Sequence, residues 1–411
     1  MTNFKVRFGV VRELFVQRAS MKRWQYPSRA NSMYSLVILV LSMPLALVLF
    51  VCLLCRRVRR DPLYVFVLAT DGEFAHFVEL VESMRFRGCD KRTVVLILSR
   101  WKHHGLGDLY KSAFGWRMIW STRASRLLQQ AIMVQPSLVV CQTRMTRVSN
   151  SRNRQLSNQL LPLTEKYIEL RRQILREQGC SKRQYVTMAV YTLQYELERN
   201  PEYLFKTKML ESEGHKLIDS ITYLQDRQID VILLGSLDQG KAHLPIDIPR
   251  LSNFASLGGA EEVALASGCE YFWTDGVGAW WLTKPFLRPV LFTNQYHLPQ
   301  GHSAWPQQHL VLPLRYRTPD GNYLTLQQIF SYARNLSKLV LRGELEAIRN
   351  SSDEIVDAHR EMCSRIYGTW ENTHESQVLS RRAKEIISRF TDCHLIDISQ
   401  DFLCRHPEFL E

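Results

Sequence analysis

The chain has 411 residues, and 53 lysines and arginines against 40 aspartates and glutamates give it a formal charge of +13. Eleven of those bases and only one acid, Glu13, lie in residues 1–60, so the rest of the chain is close to neutral. Such a body is poorly suited to a polyphosphate backbone, which excludes nucleic acid as the expected partner, and 45% hydrophobic with 23% charged residues excludes disorder, collagen and coiled coil for most of the length.

Met33 to Cys55 reads MYSLVILVLSMPLALVLFVCLLC, without a charge, and is closed by Arg56, Arg57, Arg59 and Arg60. As a helix it reaches roughly 34 Å against a hydrocarbon core of about 30 Å, which predicts a single-pass N-terminal transmembrane helix and a membrane as partner. A cleaved signal peptide fits badly, because its apolar stretch is usually ~7–15 residues and ends in small residues. Arg18, Lys22, Arg23 and Arg29 on the amino side balance the four arginines on the carboxyl side, so charge leaves the orientation a tie. Cysteine usage breaks it. The nine cysteines are odd in number and scattered, as suits free thiols in a reducing compartment, and the expected place of the body is therefore cytoplasmic. Cys52 and Cys55 form a C-x-x-C with no second pair beside it, which is not a zinc pattern.

Residues 61–183 form the first expected domain. Leu63 to Ala69 (LYVFVLA) is a continuous apolar run, the mark of a strand buried on both faces in a parallel sheet. Phe77, Leu80, Val81 and Met84 then recur at helical spacing. Thr93 to Leu98, Arg117 to Trp120 and Ser137 to Cys141 read as further strands, with a helix over Leu127 to Val134. From 143 to 183 the chain turns basic, ten bases to three acids, and reads as a connector carrying one amphipathic helix, Leu163 to Glu177.

Residues 184–335 repeat the rhythm. Tyr185 to Tyr191 and Ile229 to Leu234 are strands around a helix with Leu210, Leu217, Ile221 and Leu224 on one face. A short helix at Glu262 to Ala266 follows, then strands at Cys269 to Trp273 and Pro289 to Thr293. Residues 336–411 read as a helical tail, in which Ser351 and Glu354 make a capping box before Ile355, Ala358, Met362 and Ile366. Alternation of this kind predicts an α/β protein with two Rossmann-like doubly wound domains facing a cleft.

In such sheets ligands sit outside the carboxyl ends of the strands. In the second domain the loops there are Gly235-Ser236, Thr274-Asp275-Gly276-Val277-Gly278 and the turn opening at Asn294. Glycines at a strand-to-helix turn let amides approach an anion, and a helix amino terminus adds partial positive charge, so a diphosphate is the expected guest. Asp275 is the complication: its carboxylate would repel phosphate, and a helix N-cap is its plainer role. In the first domain the corresponding loop runs from Thr70 to His76. His76 or Asp71 is the candidate general base there. No Asp-x-Asp occurs in the chain, which points to chemistry without a metal, and there is no P-loop, G-x-S-x-G or H-E-x-x-H.

Ile218 to Asn294, with VILLGS, CEYFWTDGVGA and RPVLFTN, resembles a family of bacterial glycosyltransferases of the two-domain GT-B type associated with surface polysaccharide; NSSDEIVDAHREM and ISQDFLCRHPEFL are similar to that family's tail. The resemblance implies a nucleotide-sugar donor held mainly by the carboxyl-side domain and surface-polysaccharide work; with the strand-end loops above, the expected donor-binding residues are Gly235, Ser236, Thr274, Asp275, Gly276, Gly278 and Asn294, the acceptor a glycan or lipid-linked one, and no cofactor is expected. The family pattern has an Arg-Asp pair where this chain has Tyr191-Thr192, and an arginine where it has Leu233. Arginine suits a pyrophosphate, so the loss either weakens donor binding or passes that work to Lys241, Arg250 or the helix terminus. Two alternatives therefore stand beside a metal-independent glycosyltransferase: an inactive assembly partner in a polysaccharide complex, and a sugar-nucleotide epimerase on the same fold.

Overall fold

Three strands form parallel neighbours in the order β1 (Leu63–Leu68), β2 (Val94–Ser99), β3 (Arg117–Ser121), in register from Leu63 opposite Val94 and from Val94 opposite Arg117. The computed structural model describes residues 63–68, 94–99, 108–109, 112, 117–121, 163–180, 184–190, 212–234, 248–251, 259–275, 278–296, 298, 309–333, 335–390 and 396–411. The strand expected at Ser137 to Cys141 and the helices expected near Phe77 and Leu127 lie outside them.

The central strands of the second sheet bury their side chains on both faces. α1 (Glu165–Glu177) leads into β4 (Gln184–Val190), where the five central residues are all buried. α2 (Gly214–Asp226) buries Leu217, Ile221 and Leu224, the face its periodicity predicts, and returns the chain to β5 (Ile229–Leu234) and the two-residue β6 (Arg250–Leu251). After α3 (Ala260–Gly268) come β7 (Phe272–Asp275), a 3-10 helix over Gly278–Phe286, β8 (Val290–Gln295) and β9 (His309–Pro313).

β10 (Arg315–Arg317) pairs antiparallel with β11 (Glu346–Ile348), and between them lie α4 (Leu326–Tyr332) and α5 (Leu336–Leu341). α6 (Ser352–Ile366) and α7 (His374–Phe390) follow, then β12 (Ile396–Ile398), α8 (Gln400–Arg405) and a closing 3-10 turn, Pro407–Leu410.

Strand order in this sheet is β12-β9-β8-β7-β4-β5-β6, and every pairing in it is parallel. Six of the seven strands repeat the doubly wound nucleotide-binding order: the chain starts at β4, winds outward through β5 and β6, returns to β7 on the other side of β4 and winds outward again. The α/β reading with a parallel sheet is thus met. Two local expectations need correction. The strand expected at Cys269 to Trp273 lies at Phe272–Asp275, because Cys269 ends α3 and the strand continues through two polar residues. The tail expected as helical over residues 336–411 also contains β11 and β12, strands of three residues each, too short for an alternating pattern to show.

No helix among the described residues is long and apolar enough to cross a membrane, and the apolar run 33–55 lies outside them.

Candidate functional site

The winding reverses between β4 and β7, and at the carboxyl end of that pair Val190 faces Asp275 in register. Thr274 and Asp275 are therefore the last residues of a central strand instead of loop residues, and both are buried. Asn294 occupies the corresponding end of the neighbouring β8 and is buried too, with φ of 52°. That backbone conformation is uncommon outside glycine and best tolerated by Asn and Asp.

The Asp275 carboxylate is fully committed. Its Oδ1 accepts from the Thr293 hydroxyl at 2.7 Å and from Asn294 Nδ2 at 2.5 Å, while Oδ2 accepts from Arg349 Nη2 at 2.9 Å. Asp275's carbonyl accepts from the Ser212 hydroxyl at 3.2 Å. Burying a carboxylate is costly unless hydrogen-bond donors and a cation meet it, and here they do. Two sequence-distant segments supply the carboxylate's partners, the end of β8 and the link between β11 and α6, while a third, just before α2, bonds the main-chain carbonyl.

Arg349 and Asn350 form that link. Asn350 Oδ1 accepts from the Asn294 amide at 2.7 Å, Asn350's own amide donates to Asn294 Oδ1 at 2.7 Å, and its Nδ2 donates to the Pro313 carbonyl at 3.1 Å. One residue further on, Ser351 caps α6: its hydroxyl accepts from the Glu354 amide and the Glu354 carboxylate accepts from the Ser351 amide. The capping box is where the sequence places it, and it brings the amino terminus of α6 to the same end of the sheet as Asp275 and Asn294. Nearby, Glu213 pairs with Lys216 at 2.5 Å; burial alone would raise its pKa, but the hydrogen bond and charge of Lys216 outweigh that and lower it.

Behind the strand ends, α6 presents His359 to β7. His359 Nδ1 lies 2.6 Å from the Tyr271 hydroxyl, and the imidazole packs edge-on against Trp273, whose indole N–H donates to Thr293 at 3.1 Å. Burial pushes the His359 pKa down to about 3, so the ring is neutral at any pH of interest. It is a core residue carrying the Asp275 end of β7 on its back.

Of the residues expected at the site, the structure thus brings together Thr274, Asp275 and Asn294. Gly278 opens the 3-10 helix that follows β7. Gly235, Ser236, Gly276, His76, Asp71 and Lys241 lie outside the described residues. Arg250 is in β6, at the far edge of the winding, and Leu233 is wholly buried in β5, so that position offers no cation. Arg349, Asn350 and Thr293 are the members that sequence reasoning missed. The one available signal for the first two was their place immediately before the Ser351 capping box. A cavity of about 340 Å³ lies elsewhere, between the end of α6, α7 and α8; its cations Arg365 and Lys384 are already paired with Asp397.

No protein-family profile and no curated protein matches the chain. Solved structures do. A glycosyl transferase family 9 protein from Veillonella parvula is 10% identical and aligns over 74% of this chain and 98% of its own, with a TM-score of 0.45. The E. coli ADP-heptose LPS heptosyltransferase II is 12% identical over 69% of this chain and 99% of its own, TM-score 0.38, and the iron-containing heptosyltransferase TibC in complex with ADP-D-beta-D-heptose is 11% identical over 58% and 59%, TM-score 0.32.

Proposed function

We propose that the chain is a glycosyltransferase of GT-B type that moves a sugar from a nucleotide-sugar donor to a polysaccharide or lipid-linked acceptor, without a metal, while residues 33–55 hold it to a membrane. The observation that carries the reading is the switch point itself: six strands in the doubly wound nucleotide-binding order, with the polar ends of β7 and β8 gathered beside it and the charge of Asp275 already balanced. The sequence resemblance from Ile218 to Asn294 covers β5, β6, β7 and all but the last residue of β8.

In this reading the diphosphate sits over the carboxyl ends of β4 and β7, held by amides of the turns at Gly235-Ser236 and Gly276 to Gly278 and by the partial charge of helix termini. The acceptor hydroxyl attacks the anomeric carbon as the bond from that carbon to the diphosphate oxygen breaks. His76 or Asp71 takes the hydroxyl proton. The absence of any Asp-x-Asp supports a leaving group stabilised by main-chain donors.

Thermal unfolding of the full chain in detergent with uridine, guanosine, cytidine and adenosine diphosphate sugars tests the reading. A donor at a hundred times its Kd stabilises by about 2.7 kcal/mol, a shift of several degrees. No shift with any of them, in protein shown to be folded, defeats it. The inactive assembly partner is favoured by Leu233 and Tyr191-Thr192, where the related pattern has arginines; donor binding plus turnover lost in His76→Ala or Asp71→Asn rejects it. Isomerised donor in the absence of acceptor identifies an epimerase instead. For the anchor, deletion of residues 1–60 is expected to move the protein from sedimenting vesicles to the supernatant.

A further inference from the structure

A diphosphate brought to the end of β7 meets the carboxylate of Asp275, and at that range two anions repel. We infer that Arg349 is the positioning residue that removes this conflict, cancelling the Asp275 charge beneath the diphosphate and so making the strand end fit for an anionic donor. The inference rests on the nucleotide-sugar reading above and deepens it.

Its geometry is specific. Arg349 Nη2 lies 2.9 Å from Asp275 Oδ2, with the arginine side chain 10% exposed and the aspartate side chain 0%. The other carboxylate oxygen is taken by Thr293 and Asn294, so all of the negative charge is met from within the fold. The guanidinium arrives from 74 residues further along the chain and is fixed there by its neighbour Asn350, which is bonded to Asn294 and Pro313. Charges held in a water-poor site act over several ångströms with little screening, so the balance of this pair is felt by any ligand charge above it. The pair therefore predicts effects of opposite sign. Arg349→Met leaves an uncompensated anion under the diphosphate; Asp275→Asn leaves an uncompensated cation.

Calorimetric titration of the full chain in detergent with uridine, adenosine, guanosine and cytidine 5′-diphosphates, and with the four uncharged nucleosides, decides it. The diphosphate that binds wild type is expected to bind Arg349→Met about ten- to thirty-fold more weakly and Asp275→Asn more tightly, the effect of one unit charge several ångströms away. Asp275→Asn with Arg349→Met recovers to within about threefold of wild type, because the two changes are coupled through one pair. Nucleoside affinity stays constant throughout, which a general loosening of the site would not allow. Wild-type affinity in a folded Arg349→Met, or weakening by Asp275→Asn as large as that by Arg349→Met, overturns the inference while leaving the nucleotide reading intact. If Arg349→Met does not fold, tightening by Asp275→Asn together with near-wild-type affinity in the double variant supports the inference, and failure of either overturns it. A wild-type protein that binds none of the four diphosphates overturns both.

Discussion

Asn294 and Asn350 bond each other reciprocally, main-chain amide to side-chain oxygen in both directions, each at 2.7 Å, and so close the ends of β8 and α6 together. Asn350→Ala removes the acceptor for the Asn294 amide and the donor for the Pro313 carbonyl at once. Both groups are then buried without a partner, a cost of about 2–4 kcal/mol for the two. Chemical unfolding should show a lower midpoint with an unchanged slope; a change under about 0.5 kcal/mol would mean that water replaces the pair.

His359 makes stability sensitive to acid. Its folded pKa is lowered to about 3 by burial, against an ordinary value of 6.5, so the unfolded chain takes up its proton first. The contribution is complete above pH 6.5 and is lost as pH falls from there toward 3, at about 1.4 kcal/mol per pH unit. Between pH 7 and pH 5 that is a loss of about 2 kcal/mol from this residue. His359→Phe should flatten that part of the pH profile, whatever it does to stability at pH 7, and urea titrations at the two pH values measure the difference. An unchanged profile removes His359 as the cause.

The same physics explains how much of this fold is legible in the sequence. β5 is read to the residue, Ile229–Leu234, because a continuous apolar run between polar turns admits one interpretation. The capping box at Ser351 and Glu354 is equally local, and the structure has both of its bonds. β7 is displaced, since Thr274 and Asp275 look like loop residues; their polar groups find partners in Thr293, Asn294 and Arg349, and those partners come from 18 to 74 residues away. Nothing in a linear reading separates a polar strand end satisfied by tertiary contacts from a turn. Arg349 and Asn350 escape for the same reason: their roles exist only once α6 is laid against β7 and β8.

The cap itself is testable. Ser351→Ala removes the acceptor for the Glu354 amide at the start of α6, a loss of about 1 kcal/mol. Glu354→Ala should cost more, because the carboxylate also bonds the Ser351 amide at 2.6 Å and His406 Nε2 at 2.5 Å, with Arg315 at 3.8 Å. Those partners lower the Glu354 pKa against a burial effect that would raise it. Stability from this group is therefore present above the ordinary glutamate range and is lost as pH falls below it, so Glu354→Gln should destabilise at pH 7 and much less at pH 3. Equal destabilisation at both values would show that shape, not charge, holds the junction.

Glu361 ties the last strand to the body. Its side chain is fully buried on α6, where Oε2 accepts from the Ser399 hydroxyl at 2.7 Å and the Gln400 amide at 2.8 Å, both just beyond β12, while Oε1 pairs with Arg365. Arg365 in turn reaches Asp397 within β12 at 3.2 Å. Glu361→Ala leaves the buried Ser399 hydroxyl and Gln400 amide without their acceptor, which costs about 1–3 kcal/mol for each group. Glu361→Ala should therefore release the C-terminal segment before the sheet unfolds, because β12 is an edge strand of three residues paired only to β9. Limited proteolysis measures this directly: cleavage near residues 391–411 at protease levels that leave wild type whole is the expected result, and Arg365→Ala should give the same pattern. A global loss of stability with no selective cleavage would mean that β12 and the rest of the sheet unfold as one unit, with Glu361 contributing to all of it equally.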